Sequence, residues 1–283
     1  MGKVVVMTDS TADLTQELLD KYEIEVIPLC IVMDDKSYFD GKDITPEQII
    51  EWSDANKTTP KTAAAGIEET IEYLKPHKEA GDEVLYIGIS EDMSTTCNVV
   101  RLAASELEYE RVFVINSMNL STGIGLQVIR AAEMIKAGKS IEETYEAIND
   151  ARDKVRASFV VDTLTFLARG GRCNAVTALL ANTLKLKPRI EVNMGKMGVG
   201  TKYRGKTAKV LDMYVKDMEQ DLLKADKTRV FVTYSVMDHQ YVEPVVEYLK
   251  SLNHFDEILE TQAGGVITSH CGPATLGVLF YDS

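Results

Sequence analysis

The chain has 283 residues, 45% of them hydrophobic, and its 44 acidic and 31 basic side chains give a formal net charge of −13 at pH 7. A chain this acidic is not expected to bind nucleic acid or an anionic membrane surface, because both need a Lys/Arg-rich face. No segment reaches the roughly 18 apolar residues of a membrane span, and the four cysteines and four histidines are scattered. We therefore expect a cytoplasmic protein with no metal site, no cofactor and no disulfide.

Apolar runs that alternate with helical periodicity predict strands and helices in alternation. The predicted strands are Lys3–Thr8, Glu25–Met33, Glu83–Ile89, Arg111–Ile115, Ala157–Asp162, Arg229–Tyr234, Glu257–Gln262 and Gly277–Tyr281. The predicted helices are Leu14–Tyr22, one that opens at Thr45, Ile67–Lys78, Thr95–Leu107, Gly123–Ala137, one that opens at Ser140, Leu164–Ala168, Asn174–Leu184, Thr207–Ala225 and Val242–Leu252. Glycine-rich Ile190–Tyr203 predicts a hairpin.

Two of the predicted helices begin with a recognisable cap. Thr45 with Gln48, and Ser140 with Glu143, have the spacing of a capping box. Between the first of these helices and the next, Asn56–Ala65 is expected to be a loop. The capping boxes predict where these two helices begin. They do not predict how the elements are arranged relative to one another.

The order of elements indicates the fold class. Up to about residue 155, strands and helices alternate as in a parallel sheet with helices on both faces. Beyond it the pattern changes to a mixture of hairpin, strands and helices. The sequence thus predicts a two-domain α/β protein. Its N-terminal domain (residues 1–155) has a parallel sheet flanked by helices, and its C-terminal domain (residues 156–283) has a mixed sheet with helices.

Ligands of open α/β sheets bind beyond the carboxyl ends of the strands, and clusters of small polar residues fall there. These clusters are Thr8–Asp13, Thr58–Thr62, Ser90–Thr96 and Asn116–Gly125. The third lies between a strand and a helix, where hydroxyls and free N–H groups can cradle an anion. The first has an alternative role, since Ser10 or Thr11 can cap the following helix.

A basic stretch stands out against the acidic background. Thr163–Ile190 has no acidic residue but carries Arg169, Arg172, Lys185, Lys187 and Arg189. A tight turn at Gly170-Gly171 would bring guanidinium groups together at an anion, although a helix C-terminus with cationic caps is the alternative. Within the stretch, the apolar run Ala175–Leu186 is typical of a core helix or of a cavity wall. His270, ahead of Gly272-Pro273, is expected at a strand end, where it can bond an anion.

Taken in order, these features resemble the DegV family of fatty-acid-binding proteins over essentially the whole chain. The matching landmarks are Thr8–Leu14, Val26–Leu29, Asp40-Gly41, Asp43–Glu47, Asp162–Leu164 with Leu167, Gly170–Arg172, Lys187-Pro188, Arg204-Gly205 and His270 with Gly272-Pro273. No single landmark is specific, but their order and spacing together indicate the family.

The resemblance implies a two-domain α/β fold with one long-chain fatty acid in an apolar tunnel. It implies that the hydroxyls of Thr62 and Ser94 hold the ligand carboxylate, with Arg172 and His270 nearby. It also implies that the protein breaks no bond itself. Such a carrier presents the acid to a separate fatty acid kinase, which makes an acyl phosphate for phospholipid metabolism.

Three further residues from the polar clusters complete the predicted ligand-binding set, namely Ser10, Thr95 and Ser117. We expect a monomer or a weak dimer that is capable of transient membrane contact. The sequence departs from the family pattern at Ala63-Ala64, where Ser-Gln is usual, and at Thr95, where Gly is usual. Both departures lie beside the predicted head-group site, so the ligand or its mode of binding could differ.

Other functions are compatible with parts of this pattern. One is the binding of another amphipathic carboxylate, such as a branched or unsaturated lipid or an isoprenoid acid. A second is a small-molecule kinase subunit related to dihydroxyacetone kinase, although no nucleotide-binding P-loop occurs. A third is a hydrolase that uses Ser94 and His270, but Ser94 lacks the Gly-x-Ser-x-Gly elbow.

Overall fold

The computed structural model describes residues 2–173 and 186–283. The strands are β1 (Val4–Asp9), β2 (Ile24–Ile27), β3 (Cys30–Met33), β4 (Lys36–Phe39), β5 (Lys61–Ala63), β6 (Glu83–Gly88), β7 (Val112–Asn116), β8 (Val155–Val160), β9 (Lys187–Asn193), β10 (Lys196–Tyr203), β11 (Arg229–Tyr234), β12 (Glu257–Gln262) and β13 (Leu276–Tyr281).

The helices alternate with these strands. They are α1 (Gln16–Tyr22), α2 (Pro46–Asn56), α3 (Ile67–Ala80), α4 (Thr96–Glu106), α5 (Thr122–Lys136), α6 (Ile141–Ala151), α7 (Thr165–Gly170), α8 (Thr207–Asp217), α9 (Glu219–Leu222), α10 (Glu243–Ser251) and α11 (Gly265–Cys271). Short 3₁₀ turns occur at Ser10–Ala12, Arg152–Lys154 and His239–Tyr241.

The strands form three sheets. A parallel sheet has the order β2-β1-β6-β7, a mixed sheet has the order β10-β9-β8-β13-β11-β12, and a small antiparallel sheet has the order β4-β3-β5. In the mixed sheet, β11 and β12 are parallel and the other pairs antiparallel. The predicted α/β class, with an N-terminal parallel and a C-terminal mixed sheet, is confirmed. The predicted division between residues 155 and 156 falls at the start of β8 and stays a prediction.

Helix α5 joins the two large sheets through one core. Its residues are buried almost throughout, and it contacts β1 and β6 of the parallel sheet as well as β8 and β13 of the mixed sheet. Burying one helix between two sheets removes apolar surface from water on both sides, which contributes about 25 cal/mol per Å². The loop that precedes α5 therefore leads into a helix that packs against both sheets.

The predicted capping boxes and hairpin are present, but the first cap is not the predicted one. Thr45 and Ser140 cap α2 and α6 as expected, and β9 and β10 pair as a hairpin. The prediction that Ser10 or Thr11 caps α1 is wrong, because Thr15 accepts the hydrogen bond from the backbone N–H of Leu18. The predicted helix Asn174–Leu184 lies outside the described residues.

Three further expectations about the elements are wrong. The predicted strand Glu25–Met33 is split at Pro28 into β2 and β3, because proline cannot donate to a sheet ladder. The expected loop Asn56–Ala65 contains β5, and β4 was also missed. The predicted helix Thr207–Ala225 is interrupted at Met218 and ends earlier, as α8 and α9.

The largest correction concerns His270, which lies on helix α11 and not at a strand end. The β-branched run at Val266–Thr268 favours a strand by local propensity. Tertiary contacts override it, since Asp13 accepts a hydrogen bond from the backbone N–H of Gly264 and Asp40 one from that of Gly265. Carboxylates at a helix start stabilise the first turn.

Candidate functional site

A crevice opens where the connections of the parallel sheet diverge. The chain leaves β1 towards β2 on one side and leaves β6 towards β7 on the other, and such a switch point is the usual ligand site of an open α/β sheet. A cavity of about 470 Å³ lies here, within the roughly 300–1,000 Å³ of small-molecule sites. Its lining includes Ile89 at the end of β6, Leu120 before α5, and residues of α11.

The cavity combines apolar walls with a few polar side chains. The apolar lining includes Leu29, Ile89, Leu120, Val266 and Ile267, and the polar lining includes Thr62, Ser94, Thr95, Arg172 and His270. Five of the seven predicted ligand-binding residues are therefore brought together. A largely apolar pocket with a few convergent polar groups is suited to a ligand with an apolar body and a polar head.

One polar pair joins β5 to α11. The hydroxyl oxygen of Thr62 lies 2.7 Å from Nε2 of His270. On the other side of the ring, Nδ1 is shielded from solvent and has no hydrogen-bond partner among the described residues. It packs against Gly170, where a Cβ atom would lie 2.3 Å from Nδ1, so a larger residue would displace the ring.

This geometry assigns the proton of the His270 ring. A shielded N–H without a partner is more costly than a shielded lone pair, so Nδ1 carries the lone pair and Nε2 the proton. The Nε2–H group then donates to the Thr62 hydroxyl oxygen. The hydroxyl proton of Thr62 is left free to turn towards a ligand.

His270 is neutral at physiological pH. Burial, and then the nearby charge of Arg172, lower the pKa of His270 from 6.5 to about 4. A neutral ring is required for the assignment of a single proton to Nε2. The site therefore does not present an imidazolium to the ligand.

The depressed pKa of His270 makes the stability of the protein depend on pH. Between pH 4 and pH 6.5 the unfolded chain binds a proton at His270 that the folded protein excludes. The free energy of unfolding therefore rises with pH across this window, and the contribution of His270 is fully present above pH 6.5. With some allowance for the partly exposed ring, the loss on acidification should be about 2 kcal/mol. Urea unfolding at pH 7 and pH 4.5 would measure it. In the variant His270→Gln, the drop in unfolding free energy between pH 7 and pH 4.5 should be smaller than in the wild type by this amount. An equal drop in both proteins would contradict the expectation.

The second polar group stands at the start of α4. Ser94 Oγ accepts a hydrogen bond from the backbone N–H of Thr96 at 3.3 Å and lies 2.7 Å from the Thr96 hydroxyl oxygen. Thr95 is the N-cap residue of α4 but makes no side-chain cap. The helix N-terminus adds a partial positive charge beside the cavity, which favours an anionic ligand there.

Arg172 follows the turn that ends α7. Gly171 adopts φ +68°, and the guanidinium Nη1 donates to the carbonyl of Gly170 at 2.8 Å. Nε lies 3.5 Å from the carbonyl oxygen of Met93. These bonds fix the arginine at the cavity mouth, while its side chain is exposed to water.

The remaining cations of the basic stretch do not converge on the cavity. Among the described residues, Lys187 is paired with Asp162 and Arg189 with Glu191, and Arg169 does not line the cavity. Lys185 and most of the apolar run lie outside the described residues. Within the described part of this stretch, the predicted clustering of guanidinium groups at one anion is therefore not found, and Arg172 is the positive side chain that lines the cavity.

Two predicted residues lie elsewhere. Ser10 Oγ accepts a hydrogen bond from the backbone N–H of Leu29 at 3.1 Å, and Ser10 lines a separate cavity of about 330 Å³. Ser117 is buried in a turn that it makes with Asn119. Ser10 thus fixes the backbone at Leu29, a residue of the 470 Å³ cavity, whereas Ser117 shapes the loop after β7.

Sequence reasoning missed the residues that hold α11 in place. Asp13 and Asp40 accept from the first backbone N–H groups of this helix at 2.8 and 2.7 Å, and burial raises the pKa of both carboxyls. Ser121 also donates to Asp13. Both acids lie among the family landmarks, so the sequence did mark them as important. It did not reveal their role, which is to hold the start of the helix that carries His270.

The described residues contain no group of three or more His, Cys, Asp or Glu side chains arranged to hold a metal ion, and no helix among them is long and apolar enough to cross a bilayer. Fold and site together define an α/β ligand-binding protein with an apolar cavity and a hydroxyl-lined polar end. A family profile described as an uncharacterised protein of the DegV family matches residues 3–283. The chain belongs to this family, as the sequence landmarks indicated.

Several relatives are similar over their full length. A DegV domain-containing protein of Clostridium perfringens is 32% identical over 282 residues, which cover 100% of this chain and 99% of that protein. A solved DegV family protein of Thermus thermophilus, described by its fatty acid binding, has 29% identity and a TM-score of 0.90, covering 99% of this chain and 100% of that one. A stearic-acid-binding protein of Eubacterium ventriosum has 25% identity and a TM-score of 0.85, covering 100% and 98%. Both solved relatives are described by their fatty acid binding.

Proposed function

We propose that this protein binds a long-chain fatty acid in the 470 Å³ cavity, with the carboxylate held by the hydroxyls of Thr62 and Ser94. The observation that carries the proposal is the juxtaposition of these two hydroxyls with apolar walls. A carboxylate only accepts hydrogen bonds, and each hydroxyl has one proton to donate. Fatty acid binding by the solved relatives from Thermus thermophilus and Eubacterium ventriosum supports the proposal.

The two halves of the ligand are bound by different forces. Each methylene of the acyl chain that leaves water contributes about 0.8 kcal/mol, so the apolar walls supply most of the affinity. A carboxylate without hydrogen bonds would cost several kcal/mol there. Thr62 and Ser94 offset that cost without burying a fixed counter-ion, while Arg172 adds a positive charge at the mouth.

The geometry does not favour the hydrolase alternative. A serine hydrolase needs its histidine bonded to the nucleophilic hydroxyl. Here His270 is bonded to Thr62, and Ser94 lies against Thr96. We therefore propose a carrier that makes and breaks no covalent bond.

A second candidate ligand follows from the departures at Ala63 and Ala64, both of which line the cavity. Small side chains leave apolar room near the polar end, which favours a branched or kinked carboxylate lipid as the alternative to a straight saturated acid. Thr95, the other departure, also lines the cavity, at the start of α4.

Native mass spectrometry of the freshly purified protein, followed by lipid extraction, tests the proposal. A fatty acid recovered at one per chain is the expected result, and its structure would decide between a straight and a branched or unsaturated chain. Protein that arrives empty and does not bind fatty acids in a displacement assay would sink the proposal.

We further propose that the loaded protein serves a separate fatty acid kinase in the cytoplasm, as a monomer or weak dimer that can contact a membrane transiently. Thr95 and Arg172 are exposed at the mouth, whereas the apolar walls are buried, which supports presentation of the head group to a partner. ATP-dependent acyl phosphate, trapped as the hydroxamate, should form only when the loaded protein and a fatty acid kinase are both present. Formation without the carrier would contradict this role.

A further inference from the structure

Thr96, which does not line the cavity, makes unusual contacts with the head-group site. It is the first residue of α4, and its side chain is buried, with 2% exposure. Its hydroxyl oxygen lies 2.7 Å from Ser94 Oγ, and its backbone N–H donates to the same atom at 3.3 Å. Either hydroxyl of this pair can be the donor. Among the described residues the Thr96 hydroxyl bonds only Ser94, so its buried proton is satisfied only when Thr96 donates. In that arrangement two donor groups of Thr96 converge on the Ser94 oxygen.

The bonds from Thr96 limit what the Ser94 hydroxyl can still do. A serine hydroxyl has one proton to donate and two lone pairs that accept. When Thr96 donates both its N–H and its O–H, both lone pairs of Ser94 Oγ are occupied. The Ser94 hydroxyl can then only donate, and its proton is free to turn to the ligand.

We propose that Thr96 is a positioning residue that saturates the Ser94 oxygen and so makes the cavity select a carboxylate over a neutral head group. The inference rests on the proposed function. Donors in series also polarise one another, so the bond from Ser94 to the ligand is stronger than that of an isolated hydroxyl.

The second hydroxyl of the site, that of Thr62, is oriented by a single donor. His270 Nε2–H donates to the Thr62 hydroxyl oxygen, which leaves the Thr62 proton for the ligand. The cavity thus presents two oriented protons. An ionised carboxylate accepts both, whereas the proton of a fatty alcohol finds no free acceptor on Ser94 and is limited to the one lone pair left on Thr62, which weakens its binding away from water.

Selectivity between an acid and its alcohol tests the role of Thr96. Dissociation constants for hexadecanoic acid and hexadecanol would be measured for the wild type, Thr96→Val and Thr96→Ser. Thr96→Val keeps the shape and the backbone N–H but removes the hydroxyl, and it should lower the acid-to-alcohol affinity ratio by about 3- to 10-fold. Thr96→Ser should restore the ratio.

Thr144→Val is the matched control. Thr144 is a buried threonine in the first turn of α6, and its hydroxyl donates to the carbonyl of Ser140, away from the cavity. Its replacement removes the same group from the first turn of another helix. The acid-to-alcohol ratio should stay at the wild-type value.

A second measurement responds only to hydrogen bonding at the carboxylate. Hexadecanoic acid labelled with ¹³C at the carboxyl carbon can be titrated by NMR while it is bound. Its titration midpoint should be higher in Thr96→Val than in the wild type, because a weaker hydrogen bond to the carboxylate favours the protonated acid. In Thr96→Ser the midpoint should return to the wild-type value. A wild-type ratio and midpoint in Thr96→Val, or an equal loss of acid and alcohol binding, would overturn the role of Thr96 alone. Failure of the wild type to bind hexadecanoic acid would overturn the proposed function and this inference with it.

Discussion

The double variant Thr62→Val with Ser94→Ala should bind a long-chain fatty acid at least about a hundredfold more weakly than the wild type. A hydrogen bond to a charged group contributes about 1.5–3 kcal/mol net, and the variant removes both hydroxyl donors. Every 1.4 kcal/mol is a factor of ten in the dissociation constant. The single variants Thr62→Ala and Ser94→Ala should fall between the double variant and the wild type. Calorimetric titration of the delipidated proteins would measure the affinities.

A second double variant controls for the general effect of losing two buried hydroxyl groups. Thr70→Val with Ser53→Ala makes the same two chemical changes at buried positions that do not line the cavity. That control should bind the acid as the wild type does. Affinity for the corresponding fatty alcohol should change far less than affinity for the acid in the double variant. Equal binding of acid and alcohol by the wild type would show that Thr62 and Ser94 do not recognise a carboxylate.

Local signals explain why so much of the fold could be predicted from the sequence. A strand of a parallel sheet is apolar on both faces, and a capping box places its two residues three positions apart. Such patterns depend only on near neighbours, so β1, β6, α2 and α6 appear close to the predicted places. The strand interrupted at Pro28 shows where local patterns fail. Proline indicates that a strand ends, but it does not indicate to which sheet the next strand belongs.

Long-range contacts explain why α11 was predicted wrongly. Val266 and Ile267 have the local preferences of a strand, and the acids that make the segment helical are Asp13 and Asp40, far away in the chain. Their effect is set by the tertiary structure, so no local pattern carries it. The same holds for Thr62 and His270, whose contact spans 208 residues.

The candidate site was anticipated mainly through the family resemblance. Ser94 has a local signal, since it lies between a strand and a helix start where anions bind. Thr62 has only a weak one, because its polar cluster Thr58–Thr62 taken alone is typical of a turn, and the short strand that carries it lies within an expected loop. The head-group positions that the resemblance implies fall on Thr62 and Ser94, and both residues line the cavity. They did not single out Thr96, whose role depends on the direction of a hydrogen bond.

A second large effect is expected at the junction between α5 and the mixed sheet. Arg229 begins β11 and is 6% exposed. Its guanidinium group binds both carboxylate oxygens of Glu133 on α5, at 2.5 and 3.2 Å, and Nε bonds Glu257 on β12 at 3.1 Å. Burial alone would lower the pKa of Arg229, but the bonds to Glu133 raise it above its ordinary value. The arginine thus ties the helix shared by both large sheets to one edge of the mixed sheet.

Replacing Arg229 with methionine should lower the free energy of unfolding by about 3 kcal/mol, measured by urea denaturation. Removing one partner of such a network typically costs about 3–5 kcal/mol, because the remaining charges lose their counter-ion. We expect the lower value here because Glu133 and Glu257 are partly exposed, with 39% and 34% of their side chains accessible. If unpaired charge is the cause, adding Glu133→Gln and Glu257→Gln should recover much of the loss. A triple variant no more stable than Arg229→Met would instead assign the cost to lost packing around the arginine stem.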